Sequence, residues 1–163
     1  RNFLAKYGPE SGRQSVMIVG VNEEDEIVAC VGMEMMLLTE NGMPWWADPS
    51  SSQKKRPFVS DLVVAKPYRR LGLGKRLLMA CETVVKNIWE KQLQETSMSA
   101  RLSVETDRIY LKVDYENFAA KQLYSSHGFK ELVRVPEDFS VPLSDSMIEQ
   151  WPVLHSYFGK FLR

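Results

Sequence analysis

Val63-Val64-Ala65-Lys66-Pro67-Tyr68-Arg69-Arg70-Leu71-Gly72-Leu73-Gly74-Lys75 is the stretch on which the fold turns. It follows Phe58 to Ala65, nearly all apolar at its end, as a buried central strand should be. It runs into Leu77, Leu78, Cys81, Val84, Val85, Ile88 and Trp89, whose three- and four-residue spacing predicts an amphipathic helix from Gly74 to about Gln94. A glycine-rich turn between strand and helix aims several backbone N–H groups at one point, and the helix N-terminus adds its positive dipole end. Glycine lets the backbone approach a phosphate with no Cβ in the way. With Arg69, Arg70 and Lys75 alongside, the natural ligand is a pyrophosphate. The dinucleotide fingerprint GxGxxG fails at Leu77, and the P-loop fails because Arg69 and Arg76 stand where a glycine and a Ser or Thr are required. A plain strand-to-helix turn with a capping glycine is the competing reading of this stretch alone.

Upstream, Ser15 to Val21 and Ile27 to Leu38 read as two strands of a hairpin around the polar turn Asn22-Glu23-Glu24-Asp25. Residues 1–14 leave room for a helix that closes at Gly8-Pro9. Residues 39–56, rich in turn formers, read as a long irregular loop holding Trp45 and Trp46, of a length that tends to be functional or mobile. The basic cluster Lys54-Lys55-Arg56 reads as part of that solvated loop. Downstream come a polar link (95–103), a strand over Arg108 to Asp114 with Ile109, Leu111 and Val113 on one face, a short helix over Asn117 to His127 ended by Gly128, and a strand over Phe129 to Val135. The tail, 136–163, is Pro-punctuated and aromatic, and no strand is obvious in it. Hairpins first and crossover helices later imply a mixed sheet in an α/β sandwich.

The chain has 163 residues, 44% of them hydrophobic and 26% charged, which fits one domain with one core. Zero formal net charge argues against a nucleic-acid partner. No apolar run is long enough to span a membrane. Cys30 and Cys81 lie in apolar runs without a CxxC pattern, and there are two histidines. The expectation is two buried, reduced thiols in an intracellular, reducing compartment, and no metal.

Arg69-x-x-Gly72-x-Gly74, after an apolar strand and a proline, resembles motif A of the GCN5-related N-acetyltransferases. Asn117-Phe118-Ala119-Ala120-Lys121-Gln122-Leu123-Tyr124-Ser125-Ser126-His127-Gly128-Phe129 resembles motif B of that family, Asn-x-x-Ala-x-x-Leu-Tyr-x-x-x-Gly-Phe, at every named position. The resemblance covers about residues 16 to 135 of what reads as one domain, 1–163. It implies a mixed central sheet with a splayed strand pair flanked by helices. It implies acetyl-CoA as co-substrate, its pyrophosphate on the amides of Arg69, Arg70, Leu71, Gly72, Leu73, Gly74 and Lys75, and its pantetheine arm along Leu62, Val63 and Val64. Tyr124 would protonate the departing thiolate, and Asn117 would face the cofactor, although helix capping is an equally good use for it.

An amine acceptor must lose a proton, and three carboxylates stand near the expected cleft: Asp61, Asp114 and Glu34. Asp61 comes first, because strand alternation puts it on a face with Val59 and Val63, an unusual place for a carboxylate without purpose. His127 and His155 receive no catalytic role. About fifteen residues before Val16 are too few for the family's opening strand and two helices, so that part is expected to be missing or trimmed. The expected acceptor is a protein or peptide amine, a chain N-terminus or a lysine. The spelling of motif B and the long loop resemble plant plastid-type members of the family. A polyamine or arylalkylamine acceptor and a non-catalytic acyl-CoA sensor are the alternatives.

Overall fold

The computed structural model describes residues 14–44, 50, 52–89, 104–135 and 155–162. The hairpin forms as the sequence reads: β1 (Ser15–Val21) and β2 (Ile27–Leu38) are antiparallel. Asn22 sets the turn, its side-chain oxygen accepting from the Glu24 and Glu26 amides at 3.0 and 2.9 Å. The remaining strands are β3 (Lys54–Val64), β4 (Arg108–Asp114), β5 (Lys130–Val135) and β6 (His155–Phe161). The helices are α1 (Leu73–Val84) and α2 (Phe118–Ser126). The six strands form one sheet of order β1-β2-β3-β4-β6-β5, in which β3 and β4 are the parallel pair and the other neighbours are antiparallel. This is the mixed α/β sheet expected.

Both helices cover one face. Leu77, Leu78 and Cys81 of α1, with Val85 and Trp89 beyond it, pack with Ala29, Val31 and Met33 of β2, Val59 of β3, Ile109, Leu111 and Val113 of β4, Phe158 of β6 and Tyr124 of α2. The odd-numbered residues of β4 thus line the core, as its alternation predicts. α1 gives way to a π-helical turn over Val85–Trp89. Truncating one of the buried leucines to Ala should cost about 2–5 kcal/mol.

Two features set up the site. At the first, the β2–β3 register jumps from Gly32↔Ser60 to Cys30↔Val63, so Asp61 and Leu62 stand against Val31 alone. This is a β-bulge, and Asp61 takes the left-handed backbone conformation at φ 53°. At the second, β3 and β4 pair only at Phe58↔Tyr110 and Val59↔Leu111 and then part. The strands splay, so among the described residues the β4-facing edge of β3 from Ser60 to Val64 has no strand partner.

Several expectations need correction. β3 begins at Lys54, not Phe58, so the basic cluster belongs to a strand and not to a solvated loop. Arg56 is 2% exposed and is held by Glu105 and the Leu38 carbonyl. The tail does contain a strand, β6, inserted between β4 and β5. The bulge resets the alternation: Leu62 turns to the helix-covered core with Val59, while Val63 is exposed, so the common face expected for Val59, Asp61 and Val63 does not form. Cys81 is buried, but Cys30 is only half-buried; both are free thiols. The helix expected to close at Gly8-Pro9, the Trp45-Trp46 pair and the polar link 95–103 lie outside the described residues.

Candidate active site

β3 ends into a 3₁₀ turn over Lys66–Tyr68, begun by Pro67 and closed by the Tyr68 and Arg69 amides on Ala65 and Lys66 carbonyls at 2.9 and 3.3 Å. Arg70 (φ 67°) and Gly72 (φ 81°) then take the left-handed conformation. Gly72 is the N-cap of α1 and offers no side chain to cap it. The Arg76 amide reaches the Gly72 carbonyl at 3.1 Å. The amides of Leu73, Gly74 and Lys75 precede that first helical bond and have no acceptor inside the helix. They converge at the positive end of the helix dipole, which favours an anion.

The two glycines do different work. A Cβ on Gly72 would meet nothing within 4 Å, so there is open space for a ligand to approach the backbone. A Cβ on Gly74 would lie 2.9 Å from Leu123 Cδ2, so this glycine lets α1 and α2 approach closely. The Arg69 Nε donates to the Val64 carbonyl at 3.0 Å and ties the turn to the end of β3. Leu71 is 67% exposed beside it. The cradle suits a pyrophosphate: open, lined by amides, with Arg69, Arg70 and Lys75 adding positive charge.

The splay continues this cradle. The Ala65 amide donates to Val28 of β2 at 2.8 Å. Backbone groups alternate in direction along a strand, so those of Leu62 and Val64 face the gap toward β4. Val63 points its side chain outward and is 55% exposed. An extended, amide-bearing arm would add to β3 there as a strand would.

Tyr124 sits on α2 in the core, 7% exposed, its ring 6.0 Å from Phe129 and 6.2 Å from Phe158. Burial, reinforced by the neighbouring Cys81 thiol, pushes its phenol up to about 12. It therefore stays protonated at neutral pH and keeps its O–H available to donate. Complete transfer from such a phenol to a thiolate of ordinary pKa, near 8.5, would run uphill by roughly 5 kcal/mol. Donation of a hydrogen bond as the bond to sulfur breaks carries no such penalty.

The other sequence candidates separate. Asn117 caps α2, its side chain accepting from the Ala120 amide at 3.1 Å. Asp114 Oδ1 accepts from the Glu116 amide at 3.1 Å, so it shapes the turn that leaves β4. Asp61, at the bulge, stands beside Cys30, whose thiol is pushed up by burial and by that carboxylate. Glu34 is buried on β2. His127 is at the C-cap of α2, where its Nε2 meets Glu82 Oε1 of α1 at 2.8 Å; Lys160 of β6 reaches the same oxygen at 2.7 Å. Burial and Lys160 hold the His127 imidazole below its usual pKa.

Sequence reasoning missed two clusters. One is that Glu82–His127–Lys160 junction, whose members are 45 and 78 residues apart and carry no local signature. The other is a polar cleft at the start of β3 and β4 of ≈ 220 Å³, lined by Glu40, Arg56, Glu105, Asp107, Arg108 and Tyr110. Alternation from Phe58 back to Arg56 was the available signal for the buried arginine.

Comparison with known proteins places this geometry. The acetyltransferase (GNAT) domain profile matches residues 14–131. An N-alpha-acetyltransferase of Sulfurisphaera tokodaii is 31% identical over 78 residues, 48% of this chain and 38% of that protein. The chain thus spans well under half the length of that curated relative. Among solved structures, Arabidopsis thaliana NAA60 in complex with a bisubstrate analogue superposes with a TM-score of 0.61 at 18% identity, over 93% of this chain and 78% of that one. A spermidine N-acetyltransferase (SpeG) chimera from Vibrio cholerae and hSSAT superposes with a TM-score of 0.56 at 14% identity, over 94% of this chain and 70% of that one. At these identities the structures share the fold.

Proposed function

The chain belongs to the acetyltransferase (GNAT) domain family, and on that premise we propose that it transfers acetyl from acetyl-CoA to a primary amine of a protein or peptide, directly within a ternary complex. The observation that carries this reading is the parting of β3 and β4 after Val59↔Leu111, beside the amide-lined turn at Gly72. The turn holds the pyrophosphate, and Leu62 and Val64 pair with the pantetheine arm, which brings the thioester to the point where the strands part. Backbone amides there polarise the thioester carbonyl.

The amine nitrogen attacks the carbonyl carbon. The C–N bond forms, the C–S bond breaks, and Tyr124 donates to the leaving sulfur. The proton lost by the amine passes to a carboxylate, with Asp61 in first place, directly or through water, and then to solvent. The thiolate, released from the Tyr124 hydrogen bond, takes up one proton from solvent, so net transfer leaves an amide, a thiol and a neutral phenol. Holding the two reactants together supplies most of the rate. A chain N-terminus is favoured over a lysine. An α-ammonium has a pKa near 8, whereas a lysine's is near 10.4, and carboxylates are too weak as bases to strip the latter readily. Similarity to an N-alpha-acetyltransferase supports the same choice. The spelling of motif B supports a plastid-type member, and a tagged full-length protein imaged in plant cells tests that address.

The test is CoA release from acetyl-CoA with peptides bearing free N-termini, lysine peptides with blocked N-termini, and small amines. Turnover on the first set, reduced on the order of 10²-fold in kcat by Tyr124→Phe with little change in acetyl-CoA affinity, is the expected result. Turnover on spermidine or an arylalkylamine alone moves the acceptor to small molecules. Tight acetyl-CoA binding with no release on any amine makes the domain a sensor.

A further inference from the structure

Glu34 is the one carboxylate buried among the described residues, 7% exposed in the middle of β2. Met33 and Met35 on either side pack toward the helices. Glu34 therefore projects from the opposite face, which it shares with Met36 and Leu38. The register runs Glu34↔Phe58 across to β3 and Phe58↔Tyr110 across to β4, one residue short of the last pair before the splay. At about 4.8 Å per strand, the Glu34 backbone lies roughly 8 Å from the point where β3 and β4 part. A glutamate side chain and an ammonium group fill that distance. Phe58 stands directly across from Glu34 on this face, and the way past it toward the Asp61 bulge runs over Gly32 and Ser60, which are small and paired with each other.

Burying a carboxylate is costly unless it is hydrogen-bonded. Glu34 does have a polar interaction within the protein, and a carboxylate offers about four lone-pair sites, so it can accept an ammonium as well. Other charged groups of this face are Lys112, two residues beyond Tyr110 on β4, and Arg56, which is engaged with Glu105; Asp61 lies at the bulge beyond Ser60.

We propose that Glu34 binds the acceptor's ammonium on the sheet face opposite the helices and delivers the amine to the splay from that side. The acetyl donor occupies the edge of β3 and the turn at α1, so donor and acceptor reach the splay from different sides. The acceptor class is a cationic primary amine, and Glu34 selects for its charge. This rests on the acetyltransfer reading.

The experiment compares wild type, Glu34→Gln and Glu34→Asp in two assays. The first measures the Kd of acetyl-CoA, and the steady-state KM and kcat of a free-N-terminus peptide. The second measures equilibrium binding, to the CoA-loaded protein, of that peptide and of the same peptide already acetylated. Expected for Glu34→Gln is a tenfold or larger rise in the amine's KM, acetyl-CoA affinity within twofold of wild type, and loss of the preference for charged over acetylated peptide. Glu34→Asp should keep that preference. An unchanged amine KM in Glu34→Gln overturns the proposal. So does an equal loss of acetyl-CoA, peptide and acetylated-peptide binding in both variants, which assigns Glu34 to the structure alone. Absence of CoA release by wild type with every amine overturns the acetyltransfer reading instead, while the binding preference still reports on Glu34.

Discussion

Gly72 and Gly74 stand two residues apart, yet a methyl group at each should fail for different reasons. Gly72 is held at φ 81° with open space around its missing Cβ. Gly72→Ala therefore costs backbone strain, about 1–2 kcal/mol, and is expected to lower the denaturation midpoint and weaken acetyl-CoA by disordering the amide cradle. Gly74→Ala places its methyl 2.9 Å from the end of Leu123, a flexible contact. Its loss should be partly relieved by Leu123→Ala in a double-mutant cycle of urea denaturation, whereas Gly72→Ala should show no coupling to Leu123. Both glycines were legible as punctuation in the sequence. The Asp61 bulge was not: alternation carries no mark where a strand inserts a residue, and the hint that Asp tolerates the left-handed region is weak. Tyr124 was legible through motif B, but its burial depends on Cys81, Phe129 and Phe158, drawn from three other elements or links.

The elements are tied by charges that titrate. His127, Glu82 and Lys160 join the end of α2 to α1 and β6. His127 is held below its usual pKa in the folded state, first by burial and then by Lys160. The unfolded chain then binds the proton more readily. The stability from the neutral imidazole is present above about pH 6.5 and is lost as pH falls from there through the lowered folded value. Urea midpoints across that window should decline in wild type and flatten in His127→Gln. A second loss belongs further down. Glu131 is held at about 2, chiefly by its paired hydrogen bonds from Arg134 at 3.0 and 2.9 Å. Its contribution is present above the ordinary carboxylate value and fades as pH drops toward 2. Arg56 joins β3 to the segment before β4 through a contact that local sequence does not mark. A basic run beside turn formers looks solvated, and only Glu105, 49 residues on, reveals why β3 extends back to Lys54. Arg56→Ala should cost on the order of 3 kcal/mol in urea denaturation, more than Arg56→Met, which restores the packing.

At the scale of the whole molecule, order and pairing come from different sources. Apolar periodicity marked β1, β2, β4 and α2 to within a residue of their limits and α1 at its start; the helix read on to about Gln94 ends at Val84 and passes into the π-helical turn Val85–Trp89, after which the described residues break off. The two motifs implied the splay, which periodicity cannot show because it is a property of two strands 44 or more residues apart in sequence. β6 escaped notice because it follows a Pro-punctuated stretch and carries Gly159 within it, both poor strand signals. Yet its pairing with β4 and β5 anchors the far arm of the splay.

In the proposed reaction acetyl-CoA is seated in the gap between β3 and β4 with its pyrophosphate on the turn at Gly72. The most direct measurement is an amide-resolved NMR titration of the protein with acetyl-CoA. Saturable shifts concentrated at Leu62, Val64 and Leu71 to Lys75, lost in Gly72→Ala, are the predicted result. Shifts centred on the polar cleft around Arg56 and Arg108, with the Gly72 turn unmoved, would contradict it.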